Sequence, residues 1–149
     1  MAIAIGCDEA GFELKEVLKR ALLEGGHEVE DFGTHDTNPV LYPDIALAAV
    51  TSIVEGRNDR GVLLCGTGIG MAITANKVRG IRAAQCHDTY SAERARKSNN
   101  AQVITMGARV IGQELAKSIL HAWLASEFEP SRSGLKVARI DEIDADTRR

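Results

Sequence analysis

The sequence is poor in aromatic residues and in proline, and it has no long hydrophobic run. Aromatic types make up 4% of the 149 residues against 44% for all hydrophobic types, and there are 3 prolines. No apolar run reaches the roughly 18 residues that a transmembrane helix needs. This composition excludes a disordered, a collagen-like or a membrane-spanning chain. The excess of small aliphatic side chains over aromatic ones favours helices packed on a sheet over a β-sandwich.

The chain also lacks a strong charge of one sign and paired cysteines. Its net charge of −3 argues against nucleic acid as a partner. The segment after Met1 is apolar and has no basic region of the kind that begins a signal peptide. Three cysteines without paired spacing are typical of free thiols in a reducing compartment. We therefore expect a cytoplasmic protein that binds neither nucleic acid nor a membrane.

Short apolar runs alternate with segments of helical periodicity five times along the chain. This alternation predicts a parallel sheet with helices on both faces, joined by right-handed crossovers. We therefore expect one domain over residues 1–149, with a Rossmann-like three-layer α/β/α sandwich, a five-stranded parallel sheet and a C-terminal tail helix. The predicted strands are 2–7, 28–32, 61–65, 81–86 and 102–106, and the predicted helices are 11–24, 42–55, 71–78, 89–97 and 113–125.

The chain changes character after Pro130. Residues 131–134 have the composition of a loop, and Val137, Ile140 and Ile143 then follow at helical spacing. A short amphipathic tail of this kind packs either on a neighbouring subunit or on its own core. We expect the tail, residues 131–149, to pack on a partner subunit.

The loop after the third predicted strand is the most informative segment for function. In an open parallel sheet, ligands bind beyond the carboxyl ends of the strands. Cys65 ends this strand, and glycines stand at positions 66, 68 and 70. Backbone amides in such a loop can stabilise an anion, although a tight strand–helix connection would also use glycine. The spacing does not match the dinucleotide fingerprint. Residues 6–11 do not form a Walker A loop either, because Phe12 and Glu13 follow them in place of Lys and Ser.

Several side chains beside these strand ends can carry chemistry. Amides around Cys65 favour its thiolate, the form that acts as a base or nucleophile, whereas a buried thiol behaves as a small apolar side chain. Cys7 and Cys86 also end predicted strands; we expect Cys86 to be structural, while packing and lining the site are equally open for Cys7. Asp8 is placed to handle a substrate hydroxyl. Glu9 can instead simply complement the dipole of the following helix.

Three basic residues are candidates for binding a phosphate. The candidates are Arg109, Arg132 and Lys136, whose positive charges can hold a phosphate. Composition alone instead favours a solvated charge on the surface at each of these positions. The four histidines are scattered without metal-ligand spacing, so we expect no metal. His87 alone follows a predicted strand, and we expect it to be structural.

Taken in their order, these motifs resemble the ribose-5-phosphate isomerase B family, which includes the galactose-6-phosphate isomerase subunits. The likeness runs over essentially the whole chain. It implies an aldose–ketose isomerase without a cofactor that acts on a phosphorylated sugar through an enediolate. It also implies homodimers, or tetramers of two dimers, with the active site shared across the subunit interface. The motifs are residues 6–11 (GCDEAG), 42–44 (YPD), 65–70 (CGTGIG), 75–77 (ANK), 90–92 (YSA), 99–100 (NN) and 107–112 (GARVIG).

The resemblance also assigns roles to individual positions. Cys65 matches the base that moves the proton between C1 and C2, Thr67 assists at the substrate oxygens, and Asp8 binds a substrate hydroxyl. The amides of residues 66–70 hold the developing oxyanion. The further substrate-binding positions are Glu9, Tyr42, Gly66, Gly68, Ile69, Gly70 and Asn99, and the phosphate-binding positions are Arg109, Arg132 and Lys136, some of them supplied by the partner subunit.

Three positions depart from the family pattern. Glu9 stands where the family usually has His, which places an acid near the expected phosphate. Lys136 replaces an Arg and loses its bidentate fork. Ser98 stands where a His usually protonates the ring oxygen and opens the furanose. We retain Ser98 among the catalytic candidates.

The replacement at position 98 bears on the substrate. A tetrose 4-phosphate cannot close a furanose, because its C4 oxygen carries the phosphate. The D-erythrose 4-phosphate/D-erythrulose 4-phosphate pair is therefore an alternative to the D-ribose 5-phosphate/D-ribulose 5-phosphate pair, which family frequency places first. A third reading is a non-catalytic sugar-phosphate-binding subunit, against which the retained Cys65, Thr67 and Asp8 argue. A redox or phosphatase role lacks the required C-x-x-C or C-x5-R motif.

Overall fold

The protein is built on a five-stranded sheet in which every neighbouring pair of strands is parallel. The computed structural model describes residues 1–148, and the strand order is β2-β1-β3-β5-β4. All residues of β3 and β5 are buried, as expected for strands with both faces covered. The predicted parallel sheet is confirmed. Its strands are β1 (Ala2–Cys7), β2 (Glu28–Asp31), β3 (Arg60–Cys65), β4 (Ala83–Gln85) and β5 (Val103–Gly107).

Helices cover both faces of the sheet, which confirms the three-layer α/β/α architecture. Side chains of α1, α4 and α5 form one apolar core with Ile3 and Ile5 of β1, and side chains of α2 and α3 form the other with Ala4. Alternate residues of a strand point to opposite faces, so one strand supplies both cores. The helices are α1 (Phe12–Glu24), α2 (Tyr42–Val54), α3 (Ile69–Ala75), α4 (Thr89–Lys97), α5 (Gln113–Leu124) and α6 (Pro130–Thr147).

Several predicted boundaries are wrong. Helix α3 begins at Ile69, inside the predicted loop, and ends at Ala75, while β4 is shorter than predicted. The predicted loop at 131–134 is helical, because α6 already begins at Pro130. Proline suits the first turn of a helix, and burial of Ser133 and Val137 stabilises the glycine-containing turns that follow.

Helix α6 packs on its own chain along one face. Asp141 forms an ion pair with Arg82 at 2.7 Å, and Asp144 accepts a hydrogen bond from the backbone of Gly80 at 2.7 Å. The opposite face is open, and the side chain of Leu135 is 91% exposed. The expectation that the tail packs on a partner therefore concerns this second face only. Residue 149, the last of that predicted tail, lies outside the described residues.

The strand order places the ends of β1 and β3 side by side at a reversal of the chain. From β1 the chain moves to one side to form β2 and then to the other side to form β3. Such a switch point opens a crevice beyond the carboxyl ends of the two strands. Within residues 1–148, no helix is long and apolar enough to cross a membrane.

Candidate active site

Three neighbouring strands bring predicted site residues together at the carboxyl edge of the sheet. Asp8 follows β1, and its amide donates to the carbonyl of Leu64 at 3.1 Å. Arg109 follows β5, and its amide donates to the carbonyl of Gly66 at 3.0 Å. A Cβ atom at Gly66 would lie 3.6 Å from Cδ of Arg109, so this side chain runs over the loop that follows Cys65. A carboxylate, a thiol and a guanidinium thus meet at one edge.

Cys65 has a specific hydrogen-bond partner in the loop. Its side chain is 5% exposed, and its Sγ accepts a hydrogen bond from the amide of Gly68 at 3.0 Å. Gly68 has a φ of +78°, and a Cβ atom there would come within 2.9 Å of the backbone of Met106. Only glycine fits this conformation and this space. The loop therefore requires glycine at this position, and the backbone amide of this glycine points at the sulfur.

Thr67 lies at the exposed side of the same loop. Its Oγ1 accepts a hydrogen bond from the amide of Ile69 at 3.2 Å. A Cβ atom at Gly107 would lie 2.7 Å from the backbone of Thr67, so the end of β5 packs directly against the loop. The amides of Gly68 and Ile69 thus act on the side chains of Cys65 and Thr67 in this structure, rather than standing open to a substrate.

Tyr42 contacts the loop from the other side. It is the first residue of α2, and a Cβ atom at Gly70 would overlap its hydroxyl group. The aromatic ring therefore packs directly on the first turn of α3. Tyr42 also packs against the core cluster that contains Cys65, and Ile69 and Gly70 are the first two residues of α3.

Asp8 and Glu9 are held by backbone amides. Oδ1 of Asp8 accepts from Gly11 at 3.0 Å, and Oε2 of Glu9 accepts from Val40 at 3.3 Å. Burial raises the pKa of Asp8, against the hydrogen bond from Gly11, and the charge of Glu9 raises it further. The carboxylate of Glu9 thus ties the loop after β1 to the segment that leads into α2.

The other two cysteines have the character of core residues. Burial raises the pKa of Cys7 to about 12 and that of Cys86 to about 11, so both remain protonated thiols. Cys7 packs in the core on the α1 side of the sheet, whereas Cys65 packs on the α2 and α3 side. His87 accepts a hydrogen bond through Nε2 from the amide of Gly107 at 2.9 Å, and so fixes the end of β5.

The remaining predicted residues lie at the opposite edge of the sheet. Ser98 directly follows the last residue of α4, and α4 returns from the carboxyl edge over nine residues, or about 13 Å. Asn99 lines a cleft of about 470 Å³ together with Gly80 and Ile140. The amide of Glu129 donates to the carbonyl of Lys97 at 3.0 Å, which sets the start of α6 beside the end of α4. Arg132 and Lys136 are exposed on the first turns of α6.

One chain therefore carries two separate groups of predicted residues. The carboxyl-edge group comprises Asp8, Glu9, Tyr42, residues 65–70 and Arg109. The amino-edge group comprises Ser98, Asn99, Arg132 and Lys136. The first group has the thiol and the carboxylate that proton transfer needs, and the second has two cations suited to a phosphate.

Comparison with known proteins shows the family of this chain. The model of the ribose/galactose isomerase family matches residues 3–143. The chain belongs to this family. Ribose-5-P isomerase B of Listeria innocua is 57% identical over 99% of this chain and 100% of its own length. D-erythrulose-4-phosphate isomerase of Pectobacterium atrosepticum is 58% identical over 94% of this chain and 93% of its own length.

Solved structures of the ribose/galactose isomerase family share the same fold. Ribose-5-phosphate isomerase B of Clostridium thermocellum superimposes with a TM-score of 0.97 at 43% identity, over 99% of both chains. The resemblance noted in the sequence is confirmed. The protein is an aldose–ketose isomerase.

Two residues near Cys65 were not predicted from the sequence. Gln85 and Thr105 donate side-chain hydrogen bonds to the carbonyls of Thr67 and Gly68, at 2.7 Å and 2.8 Å. They lie 18 and 37 residues from these partners along the chain, and no motif connects them. The one sequence signal that pointed to Gln85 as a site residue was its position at the end of a predicted strand, β4 in the structure. Among the described residues, no cluster of His, Cys, Asp or Glu is arranged to hold a metal ion.

Proposed function

We propose that this isomerase uses Cys65 as its base and interconverts D-erythrose 4-phosphate and D-erythrulose 4-phosphate. The role of Cys65 rests on one observation, the hydrogen bond from the amide of Gly68 to its Sγ at 3.0 Å. A backbone donor at this distance offers a hydrogen bond to the sulfur of the proposed base. No backbone amide among the described residues donates to the sulfur of Cys7 or Cys86, and burial raises the pKa of both thiols.

The proposed reaction moves one proton between two carbons. The thiolate of Cys65 takes the proton from the carbon next to the carbonyl, and the electron pair of that bond forms the enediolate. The resulting thiol returns the proton to the former carbonyl carbon. Thr67 and Asp8 exchange the hydroxyl proton between the two substrate oxygens, and remaining loop amides stabilise the oxyanion. The burial that raises the pKa of Asp8 suits a group that both gives and takes a proton. No cofactor takes part.

The phosphate requires a second copy of the chain. Arg109 lies with Cys65, whereas Arg132 and Lys136 lie at the amino edge of the same molecule. A homodimer that sets the amino-edge group of one subunit against the carboxyl-edge group of the other completes two shared sites. In such a dimer, Arg132 of the partner subunit faces the loop that carries Cys65. Further pairing of dimers into a tetramer adds nothing that the site needs.

The substrate assignment rests on Ser98. The hydroxyl group of serine does not ionise near neutral pH, so Ser98 is a poor acid for opening a furanose. A tetrose 4-phosphate has no furanose to open and needs no such acid. The relative from Pectobacterium atrosepticum, 58% identical, bears the corresponding name. The D-ribose 5-phosphate/D-ribulose 5-phosphate pair is the second candidate, which the name of the Listeria innocua relative favours.

Steady-state kinetics on the two substrates tests this assignment. We expect kcat/KM to be at least about tenfold higher for D-erythrulose 4-phosphate than for D-ribose 5-phosphate, which is about 1.4 kcal/mol in the barrier. A preference for the pentose would establish the second candidate instead. Turnover of neither sugar would overturn both assignments. We place the enzyme in the cytoplasm, which suits its three free cysteines.

A further inference from the structure

We infer that Gln85 is a positioning residue that promotes ionisation of Cys65 through a single peptide group, and that Thr105 is a positioning residue that fixes the hydroxyl group of Thr67 through the next peptide group. This inference rests on the proposed role of Cys65 as the base. Two side chains, one on β4 and one on β5, donate hydrogen bonds to carbonyls of the loop. Amides of the same loop donate hydrogen bonds to the side chains of Cys65 and Thr67.

The first chain of hydrogen bonds runs from Gln85 to the sulfur. Nε2 of Gln85 donates to the carbonyl of Thr67 at 2.7 Å. The N–H of that same peptide belongs to Gly68, and it donates to Sγ of Cys65 at 3.0 Å. A donor on the carbonyl side polarises a peptide and makes its N–H a stronger donor. Gln85 therefore acts on the thiolate without touching it.

The second chain of hydrogen bonds runs from Thr105 to the hydroxyl of Thr67. Thr105 is fully buried on β5, and its Oγ1 donates to the carbonyl of Gly68 at 2.8 Å. The N–H of that peptide belongs to Ile69, and it donates to Oγ1 of Thr67 at 3.2 Å. A buried hydroxyl in a β-strand thus fixes the second peptide of the loop and the hydroxyl that this peptide holds.

The pairing of β4 with β5 places the two donors side by side. Gln85 and Thr105 are paired residues of neighbouring parallel strands. They hold the two consecutive peptides that flank Gly68, whose φ of +78° turns the carbonyls toward the strands. The backbone of Thr67 rests on Gly107, so these peptides cannot rotate without losing contact with β5. The orientation of both amides is thereby fixed before substrate binds, which is what electrostatic stabilisation of a reacting group requires.

Replacement of the exposed Gln85 by methionine tests the hydrogen bonds that lead from Gln85 to Cys65. Met keeps the length of the side chain and removes its donor. The matched control is Gln102→Met, because Nε2 of Gln102 also donates to a backbone carbonyl, that of Gly80, at 2.8 Å at the other edge of the sheet. The probe is iodoacetamide, with the labelled fraction of Cys65 measured by peptide mass spectrometry over a range of pH.

We expect Gln85→Met to move the midpoint of Cys65 alkylation up by about half a pH unit, which lowers the thiolate fraction below the midpoint by about threefold. We expect kcat to fall by a similar factor while KM stays unchanged, and Gln102→Met to leave both unaltered. An alkylation profile identical to that of the unmodified protein would overturn the inference. Equal shifts in both variants would also overturn it, and a raised KM with unchanged alkylation would make Gln85 a substrate contact instead.

Two variants at position 105 test the hydrogen bonds that lead from Thr105 to Thr67. Thr105→Ser keeps the hydroxyl donor and Thr105→Val removes it at nearly constant volume. We expect Thr105→Ser to retain kcat within about twofold and Thr105→Val to lose about tenfold, as for a neutral hydrogen bond of about 1.4 kcal/mol. If Thr105→Val is too unstable to assay, the serine variant decides, since a tenfold loss there would show that the methyl group and not the hydroxyl matters.

Failure of the inference and failure of the proposed base are distinguishable. Replacement of Cys65 by alanine tests the base through activity alone, whereas alkylation of Cys65 tests the hydrogen-bond chain without any substrate. If Cys65→Ala keeps full activity while Gln85→Met shifts the alkylation midpoint, the role of Gln85 stands and the base lies elsewhere.

Discussion

The Sγ atom of Cys65 accepts a hydrogen bond from the amide of Gly68, three residues further along the chain, at 3.0 Å. This short-range contact depends on a left-handed glycine, on close packing against β5 and on donors from two other strands. A thiol held in this way differs from the two cysteines buried in the opposite core. The proposed chemistry therefore rests on the backbone of the loop as much as on the thiol itself.

Replacement of Cys65 by alanine is expected to lower kcat by about 10²–10⁴-fold, the usual contribution of a general base. Binding of the sugar phosphate is expected to persist, because Arg109 and the loop backbone remain. Turnover assays and calorimetric titration with the ketose phosphate measure the two effects. Cys86→Ala is the matched control, since that thiol is buried and the raised pKa keeps it protonated. Near-normal turnover by the Cys65 variant would contradict its role as the base.

A shared site predicts complementation between two inactive variants. Cys65→Ala damages the carboxyl-edge group, and a variant with both Arg132→Ala and Lys136→Ala damages the amino-edge group. Random pairing makes half of the dimers mixed, each with one intact site of two, so about a quarter of normal activity should return. Activity of the mixture after unfolding and refolding together, against each variant refolded alone, provides the measurement. No gain on mixing would indicate that each subunit completes its own site.

Replacement of Ser98 by histidine separates cyclic from acyclic substrates. We expect kcat/KM for D-ribose 5-phosphate to rise several-fold, because an imidazole can protonate the ring oxygen, while the value for D-erythrulose 4-phosphate stays constant. Ser118→His on the exposed face of α5 controls for the added ring. An equal rise on both sugars would show that ring opening does not limit the reaction.

Gly70 is expected to tolerate no side chain. A Cβ atom there would overlap the hydroxyl of Tyr42, so Gly70→Ala should cost about 1–3 kcal/mol and displace the loop. Displacement by about 1 Å near a reacting group can lower kcat/KM by tenfold or more. Gly134→Ala in α6 is the control, because its Cβ would meet only Pro130 at 3.7 Å and alanine favours the helix. Thermal unfolding and kinetics of both variants are the measurements, and equal stability of the two would contradict the overlap.

Asp31 is expected to make stability depend on pH. Burial works to raise its pKa, but hydrogen bonds from Lys15 and Lys19 outweigh this and lower the pKa below its usual value. A carboxylate whose pKa is lower in the folded state stabilises the fold above its unfolded pKa of about 3.9, and this contribution is lost as the pH falls through the folded pKa.

Asp31→Asn should therefore destabilise the protein at pH 7 by about 3 kcal/mol, because Lys15 is fully buried and would lose its main partner. The difference from the unmodified protein should shrink as the pH falls below about 4. Urea unfolding over a pH series measures it. Glu30→Gln, which removes an exposed pair with Arg57, should cost less than about 1 kcal/mol at any pH. A difference for Asp31→Asn that does not vary with pH would contradict the assignment.

The order of strands and helices was predictable because it depends on local hydrophobic periodicity. The fully buried β3 and the periodic α5 both follow the expected bounds within one residue. Boundaries at α3 and α6 were missed because glycine and serine in these segments are typical of loops, whereas packing of Met71 and Val137 on the core stabilises them as helices.

The sequence by itself determined the alternation of strands and helices, the glycine loop after Cys65 and the family to which they belong, because each depends on residues close together in the chain. Only the tertiary structure decided which strands are neighbours. It thereby put Asp8, Cys65 and Arg109 at one edge and Ser98, Arg132 and Lys136 at the other. It also brought Gln85 and Thr105 to the loop from 18 and 37 residues away. Such contacts arise from packing a parallel sheet, where residues distant in the chain meet at a common edge and leave no local pattern.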